Sequence, residues 1–352
     1  MSQTEPTYFE ELSSSLVDGW NRFWFTAVDP CVTGFLRLLT GGLLLWVLST
    51  YTVDDLVLLW GPEGFQANDA VDSMNDLRTR PSFWRLTNNP SDFAPLHYVS
   101  LAVVALYAAG LFSRVTSVAA TIVAFSYFHR SPQLTNELEP ILSLLLVYLC
   151  IAPSGAAFSL DAWFRGKKNE PATLSYSAAI AVRLIQLHIA AAMLMSALGK
   201  LQGDVWWNGS AVWYLLARTE TRGVDLTWLH GYLFTIIEIW TTFILWYQSA
   251  FAIFIWHRLA RPLLLTLSVP VWFLVGLATN QWEFAAAFAI GTFAFLNPAW
   301  LRATTRRIVG ESLAEKLCPP VESAPVEAGY SRSPSVRRPD AVGRREAVGA
   351  NG

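Results

Sequence analysis

The sequence predicts an all-α fold, a polytopic transmembrane helical bundle of about eight spans. Charged residues make up only 15% of the 352 residues, against about 25% in a typical soluble protein. Hydrophobic residues reach 53%, and the mean hydropathy is +0.35. The apolar residues also form long runs, as a bilayer requires of a helix that crosses it. These observations argue against a soluble α/β or all-β domain.

Eight apolar stretches follow one another along the chain. They cover residues 32–48, 98–112, 115–128, 141–151, 178–198, 231–256, 262–278 and 284–296. The second, third, fourth and eighth stretches reach the ~17 residues needed to cross the hydrocarbon core only with their flanks. The predicted count is therefore eight, give or take one span.

Basic residues in the short loops predict the orientation. With a cytoplasmic N-terminus, the inside segments contain Arg22, Arg114, the cluster at 165–168, and Arg258 with Arg261. Short cytoplasmic loops of membrane proteins are enriched in Lys and Arg. The sequence therefore predicts a multi-pass protein of the cell inner membrane with both termini in the cytoplasm. The long loops, 52–97 and 199–230, then lie together on the opposite side.

Two flanking segments differ from the transmembrane domain, which is predicted to span residues 29–300. Within residues 1–28, apolar side chains recur at helical spacing against charged ones, which predicts an amphipathic helix in the membrane interface. A helix packed on the protein's own body is the alternative. Residues 301–352 are rich in Pro, Ser, Ala, Glu and Arg, and are predicted to be a disordered basic tail. The lipid bilayer is thus the first predicted partner, and no nucleic acid partner is predicted.

Placing an ionisable residue inside an apolar span costs free energy, and such residues are often functional. Arg37 lies in the first span and Glu238 in the sixth. We expect these two side chains to form an ion pair if their helices touch, and substrate binding by Arg37 is the alternative. Cys31, Cys150 and Cys318 lie far apart without metal-ligand spacing, so neither a disulfide framework nor a metal site is predicted.

The fifth span presents the most informative pattern. Residues 186, 189, 193, 196 and 200 fall on one helical face, which carries the Gln186 amide, a hydroxyl and the Lys200 amine. Trp206 and Trp207 follow soon after. Lys200 has two interpretations. It could anchor the helix by reaching water, or desolvation by the aromatic loop could leave a neutral amine that acts as a general base.

The order of several motifs resembles the HTTM (horizontally transferred transmembrane) domain family, which includes vitamin K-dependent gamma-carboxylase. The likeness covers roughly residues 20 to 300. Its motifs are Asp29-Pro30 with Phe35-Leu36-Arg37, Gly110-Leu111 with Arg114, the run from Asn136 to Asp161, and Gly199-Lys200-Leu201 with Trp206, Gly209 and Tyr214-Leu215.

The resemblance implies that Lys200 is the base that deprotonates a reduced quinone entering from the bilayer. It implies that Trp206 and Trp207 exclude water, and that Asn136 and Glu137 lie near the substrate, as we also expect of Arg37 and Gln186. No other cofactor is indicated. Leu138 stands where the carboxylase has a histidine, and the carboxylase's large soluble domain has no counterpart, so carboxylation of a peptide is not expected.

Two functions therefore remain open from the sequence. The first is an integral membrane enzyme that uses a reduced quinone or another lipid-soluble substrate to modify a partner or a small molecule. The second is a non-catalytic maturation or export factor for an exported protein, in which Lys200 is an anchor. A transporter is a weaker third alternative, because no span is interrupted by paired Gly or Pro residues in matching halves.

Overall fold

The computed structural model describes residues 8–68, 71, 81–130, 137–166, 172–219, 222–231 and 233–322. The described part is all-α apart from one two-stranded sheet, as the sequence predicts. Its helices are α1 Tyr8–Trp24, α2 Cys31–Ser49, α3 Val53–Trp60, α4 Phe93–Ala109, α5 Ser113–Arg130, α6 Leu138–Ile151, α7 Leu160–Gly166, α8 Tyr176–Leu201, α9 Asp204–Trp207, α10 Ala211–Ala217, α11 Phe234–Phe254, α12 Ala260–Thr279, α13 Trp282–Thr292, α14 Pro298–Val309 and α15 Glu311–Leu317. Short 3-10 turns cover Phe83–Leu86, Pro90–Asp92, Ser154–Ala156, Thr227–His230 and Phe293–Phe295.

Five of the described helices are long and apolar enough to cross a membrane. They are α2, α4 with the turn before it (Pro90–Ala109), α8, α11 and α12. A sixth span results if α13, with the 3-10 turn after it, and α14 form one broken span, bent by 112°. This set of helices is consistent with a multi-pass integral membrane protein.

The predicted count of eight spans is not confirmed. All eight apolar stretches contain helix, but α6 has 14 residues and α13 has 11, and both are too short to cross a hydrocarbon core of about 30 Å. Helix α5 has 18 residues, yet its Ser, Thr and basic side chains keep it out of the apolar set. Apolar runs in the sequence therefore marked buried helices as well as spanning ones.

Helix α2 lies at the centre of the bundle. It packs against α4, α6, α8, α13 and α14, and Leu36, Leu44 and Leu48 are completely buried. Gly41 permits the close approach to α4, because a Cβ at this position would lie 2.7 Å from the Cα of Ala108. The first predicted span is thus the central helix of the bundle, although Leu38 and Trp46 on one of its faces are exposed.

The completely buried Arg37 side chain joins three segments at one end of the bundle, called here the Arg37 end. Its guanidinium donates to the carbonyls of Tyr107 (2.6 Å) and Ala108 (2.8 Å) in the last turn of α4. It also donates to the carbonyls of Ser154 (3.2 Å) and Phe158, which follow α6. Buried carbonyls without donors are costly, so Arg37 satisfies the backbone where two helices end.

Asp161 connects the segment that follows α6 to the turn between α4 and α5. Its carboxylate accepts hydrogen bonds from the backbone N–H groups of Phe112 (2.9 Å) and Ser113 (2.8 Å) and from the Ser113 hydroxyl (2.6 Å). It therefore caps the N-terminus of α5, where a negative charge is favourable. The backbone N–H of Asp161 donates to the Gly110 carbonyl at 3.0 Å.

The described chain stays folded beyond the predicted tail boundary at residue 301, up to Glu322. Helices α14 and α15 are followed by the strand β2 Val321–Glu322, which pairs in parallel with β1 Ala172–Thr173. The apolar contacts of Leu301, Ala314 and Cys318, all buried, explain the folding. The rest of the predicted tail lies outside the described residues.

The predicted amphipathic helix is present as α1. Apolar side chains along it are exposed, among them Phe9, Leu16 and Trp20, whereas its end contacts α8. At that end the Phe23 ring lies under the Arg183 guanidinium, 4.6 Å away, and beside Trp256. The end of α1 therefore packs on the bundle, as the alternative interpretation expects, while most of its apolar face is exposed. Insertion of that face into the membrane interface stays a prediction.

We expect Arg37→Met to destabilise the protein strongly, because methionine has a similar length but removes the Arg37 donors from four carbonyls, of which that of Tyr107 keeps the backbone N–H of Gly110. Each buried unsatisfied polar group costs ~1–3 kcal/mol, so the apparent free energy of unfolding in mixed micelles should fall by at least ~3 kcal/mol. The exposed Arg114, at the start of α5, provides the control: Arg114→Met should change this free energy by less than ~0.5 kcal/mol. Equal effects of the two substitutions would contradict the role given to Arg37.

We expect Gly110→Ala to destabilise the same region. Gly110 has a φ of +72°, which costs a residue with a Cβ ~1–2 kcal/mol, and its Cβ would lie 2.5 Å from a guanidinium nitrogen of Arg37. A Cβ added to Gly42 in α2 would meet no other group within 4 Å, so Gly42→Ala should instead stabilise by ~0.5–1 kcal/mol. Unfolding of both variants in the same micelles provides the comparison, and a neutral Gly110→Ala would contradict the tight fit.

Candidate functional site

One face of α8 leads from the interior of the bundle to Lys200. Gln186, Ile189 and Met193 on this face are buried, and Ser196 and Lys200 are half-buried. The predicted alignment of these five residues on one face is therefore confirmed. It places the Lys200 amine at the C-terminal end of a long helix, called here the Lys200 end of the bundle.

The Lys200 amine has a polar and an aromatic neighbour. Its Nζ donates a hydrogen bond to the Ser196 hydroxyl at 2.5 Å, one helical turn earlier. The same nitrogen lies 5.1 Å from the centre of the Trp206 ring. Trp206 comes from α9, which begins three residues after α8 ends and folds back against it. Within the described residues, Lys200 makes no ion pair shorter than 4 Å.

Glu137 is the charged neighbour of this site. It lies immediately before α6, which packs against α8, and it acts electrostatically on Lys200. The carboxylate is on an exposed residue and makes no direct salt bridge with the amine in the described part of the chain. Asn136, also predicted near the substrate, lies outside the described residues. The structure thus brings together three of the predicted site residues, namely Lys200, Trp206 and Glu137.

The arrangement balances opposing effects on the protonation of the amine. Partial burial between α8 and α9 disfavours the charged form. The face of the Trp206 ring and the Glu137 carboxylate favour it. The Ser196 hydroxyl can accept a hydrogen bond from an ammonium or donate one to a neutral amine. An amine in these surroundings can take up a proton and release it again, which general base catalysis requires.

Trp207 has a different role from Trp206. Its side chain is 67% exposed, and its Nε1 donates to the Leu201 carbonyl at 2.8 Å. This hydrogen bond satisfies a carbonyl that the end of α8 leaves free. Trp207 therefore holds the turn between α8 and α9 and faces outward, whereas Trp206 is the indole that contacts the amine.

Gln186 lies far from Lys200. The two residues are 14 positions apart, which corresponds to ~21 Å along α8. Its amide oxygen accepts from the Arg183 guanidinium at 2.9 Å, and its amide nitrogen donates to the Ala294 carbonyl at 2.8 Å. Gln186 therefore connects α8 to the turn that follows α13, and both ends of its amide are occupied.

The expected ion pair between Arg37 and Glu238 does not form. The Arg37 guanidinium is occupied by four backbone carbonyls. Glu238 instead packs against Gly209, near Lys200, where a Cβ on the glycine would lie 3.0 Å from the Glu238 Cβ. Helix α6 separates the two ends of the bundle by ~20 Å, since it runs from Glu137 to the loop that Arg37 binds. Arg37 is accordingly not a neighbour of Lys200.

Sequence reasoning missed a second buried polar group in the bundle. His97 of α4 and Tyr127 of α5 are both buried, and the His97 Nδ1 lies 2.7 Å from the Tyr127 hydroxyl. His97 also borders an open cavity of about 330 Å³ with Tyr51 and Asp54. Its position directly before an apolar run was the available signal. The described part of the chain contains no group of three His, Cys, Asp or Glu side chains that could hold a metal ion.

Comparisons with known proteins do not assign the chain to a family. No family model, no curated protein and no solved structure matches it.

Proposed function

We propose that the protein is an integral membrane enzyme of the HTTM type, in which Lys200 is the base that activates a lipid-soluble substrate. A reduced quinone is the proposed substrate class, and modification of a partner or small molecule is the proposed outcome. The apolar helices support the membrane assignment. The basic short loops support an inner-membrane location with both termini in the cytoplasm.

The position of Lys200 carries this proposal. Its amine lies at the end of a long apolar helix, between Ser196 and Trp206, where a molecule dissolved in the bilayer could reach it. A lysine that served only to anchor the helix would extend into water. Lys200 is instead half-buried beneath an indole.

The proposed step is a single proton transfer. The neutral Lys200 amine takes the proton of a phenolic hydroxyl, which gives an ammonium group and a phenolate. Glu137 and the Trp206 ring stabilise the ammonium that forms. Ser196 orients the amine through its hydrogen bond, and Trp206 limits the access of water.

The alternative function is a non-catalytic maturation or export factor with an exported partner. Exposed aromatic residues near the Lys200 end favour it, since Trp207, Tyr214 and Trp228 are each more than half exposed. Aromatic side chains are common both in protein interfaces and at lipid headgroups. In this alternative Lys200 contributes only to the shape and anchoring of the surface.

Substitution of Lys200 tests the proposed base. In lipid nanodiscs, the wild-type protein should consume an isoprenoid naphthohydroquinone in the presence of oxygen, as followed by chromatography. Lys200→Ala should lower the rate by about 10²–10⁴-fold, the usual contribution of a general base. Lys200→Arg should be equally inactive, because arginine keeps the charge but cannot become a neutral base. The membrane abundance of both variants should be unchanged.

Lys316 offers a matched control. Its Nζ lies 5.2 Å from the centre of the Trp163 ring, so it makes a comparable lysine–indole contact elsewhere in the chain. Lys316→Ala should keep the full rate. A fall in abundance of Lys200→Ala, with normal behaviour of Lys200→Arg, would show that the lysine is an anchor. Absence of hydroquinone turnover by the wild-type protein would exclude the proposed substrate class.

A further inference from the structure

Two cysteines far apart in the sequence meet at the Arg37 end. Cys31 is the first residue of α2, and Cys318 follows α15, 287 positions later. Both are buried free thiols, and their Sγ atoms are 2.6 Å apart. The sulfur atoms of a disulfide lie ~2.05 Å apart, so the pair is within reach of a covalent bond. Their spacing in the sequence gave no indication of this contact.

An ion pair holds the backbone of both cysteines. The Arg302 guanidinium donates to the Asp29 carboxylate through Nε (2.6 Å) and Nη2 (2.8 Å). Asp29 also accepts from the backbone N–H of Cys31 at 2.9 Å, and Arg302 also donates to the carbonyl of Cys318 at 2.8 Å. The two chain segments are therefore fixed relative to one another by groups other than the sulfur atoms.

The surroundings also favour reaction at Cys318. The pKa of its thiol is lowered by the close contact with the Cys31 thiol, and further by the positive charges of Arg302 and Arg306. Burial and Asp29 oppose this effect. A thiolate is the nucleophile in thiol–disulfide exchange, so Cys318 is the residue expected to react first.

We propose that Cys31 and Cys318 form a redox pair. A low-molecular-weight disulfide oxidises this pair reversibly to an intramolecular disulfide, which links residues 298–322 covalently to the bundle. The contact of Leu317 with the Phe158 backbone shows what this bond would secure. The Phe158 N–H donates to the Leu317 carbonyl at 2.6 Å, and the Phe158 carbonyl accepts from Arg37. The fastened segment thus borders the loop that Arg37 organises.

The reaction is a two-electron exchange. The Cys318 thiolate attacks one sulfur of the small disulfide, forms a mixed disulfide and expels one thiolate. The Cys31 sulfur, after losing its proton, attacks the Cys318 sulfur and expels the second thiolate. The two cysteines are oxidised, the small disulfide is reduced to two thiols, and the protons of Cys31 and Cys318 end on these two products. Local opening of the C-terminal segment admits the reagent, since both sulfurs are buried.

Thiol counting on the full chain in nanodiscs tests the pair. The protein is equilibrated with mixtures of glutathione and glutathione disulfide, quenched with acid, denatured, and labelled with a maleimide-linked polyethylene glycol of 5 kDa. The reduced chain has three cysteines and should take three labels. The oxidised chain should take one label, on Cys150, and should return to three after treatment with dithiothreitol.

Single substitutions give the matched controls. Cys31→Ser and Cys318→Ser should each keep two labels in mixtures that oxidise the wild-type pair, whereas Cys150→Ser should pass from two labels to none.

Trypsin gives an independent measurement. After cleavage at Arg307 and Lys316, the fragment that carries Cys318 should stay attached to the rest of the oxidised chain until a reductant is added.

Three labels on the wild-type chain in every mixture would overturn the proposal. So would a loss of labels that is accompanied by disulfide-linked dimers rather than by monomers on a non-reducing gel. These outcomes do not depend on turnover of a hydroquinone, because the thiol pair is independent of the function proposed for Lys200.

Discussion

The burial of one guanidinium group organises this bundle. Removing a charge from water costs several kcal/mol unless hydrogen bonds replace its hydration. Arg37 obtains them from four backbone carbonyls at the points where α4 and α6 end. Carbonyls at a helix C-terminus lack part of their intrahelical donors, and a low-polarity environment offers no water to replace them. The arginine and the helix ends thus satisfy each other, which fixes how the helices meet.

The motifs from which the sequence analysis predicted a resemblance to the HTTM family separate into two groups in the structure. Arg37, Gly110 and Asp161 lie together at the Arg37 end, although they are spread over more than a hundred residues of sequence. The Gly199-Lys200-Leu201 motif, with Trp206 and Gly209, lies at the opposite end. The first group is occupied with backbone hydrogen bonds, and the second presents an amine and aromatic rings. A division between a structural end and a candidate chemical end follows from these contacts.

The C-terminal segment extends the organised region beyond the apolar spans. Helices α14 and α15 and strand β2 pack where α2 begins, and Asp29 pairs with Arg302 across 273 positions. This contact lies beside the cysteine pair and close to the loop that Arg37 binds. The Arg37 end therefore contacts segments from the early and the late part of the described chain. A change in the conformation of the C-terminal segment would act directly on the contacts at this end of the bundle.

The sequence by itself determined the all-α class, the positions of the apolar helices and the shared face of α8 that ends at Lys200. Each depends on local periodicity or on the composition of a continuous run, which neighbouring residues decide among themselves. Only the tertiary structure decided that Arg37 binds carbonyls rather than Glu238, that Gln186 is occupied by Arg183 and Ala294, and that Cys31 meets Cys318. These contacts join residues from separate helices, and their partners depend on how the helices cross and where each one ends. Helix length likewise decided which apolar runs can span a bilayer, because hydropathy alone does not distinguish a core helix from a membrane-spanning one.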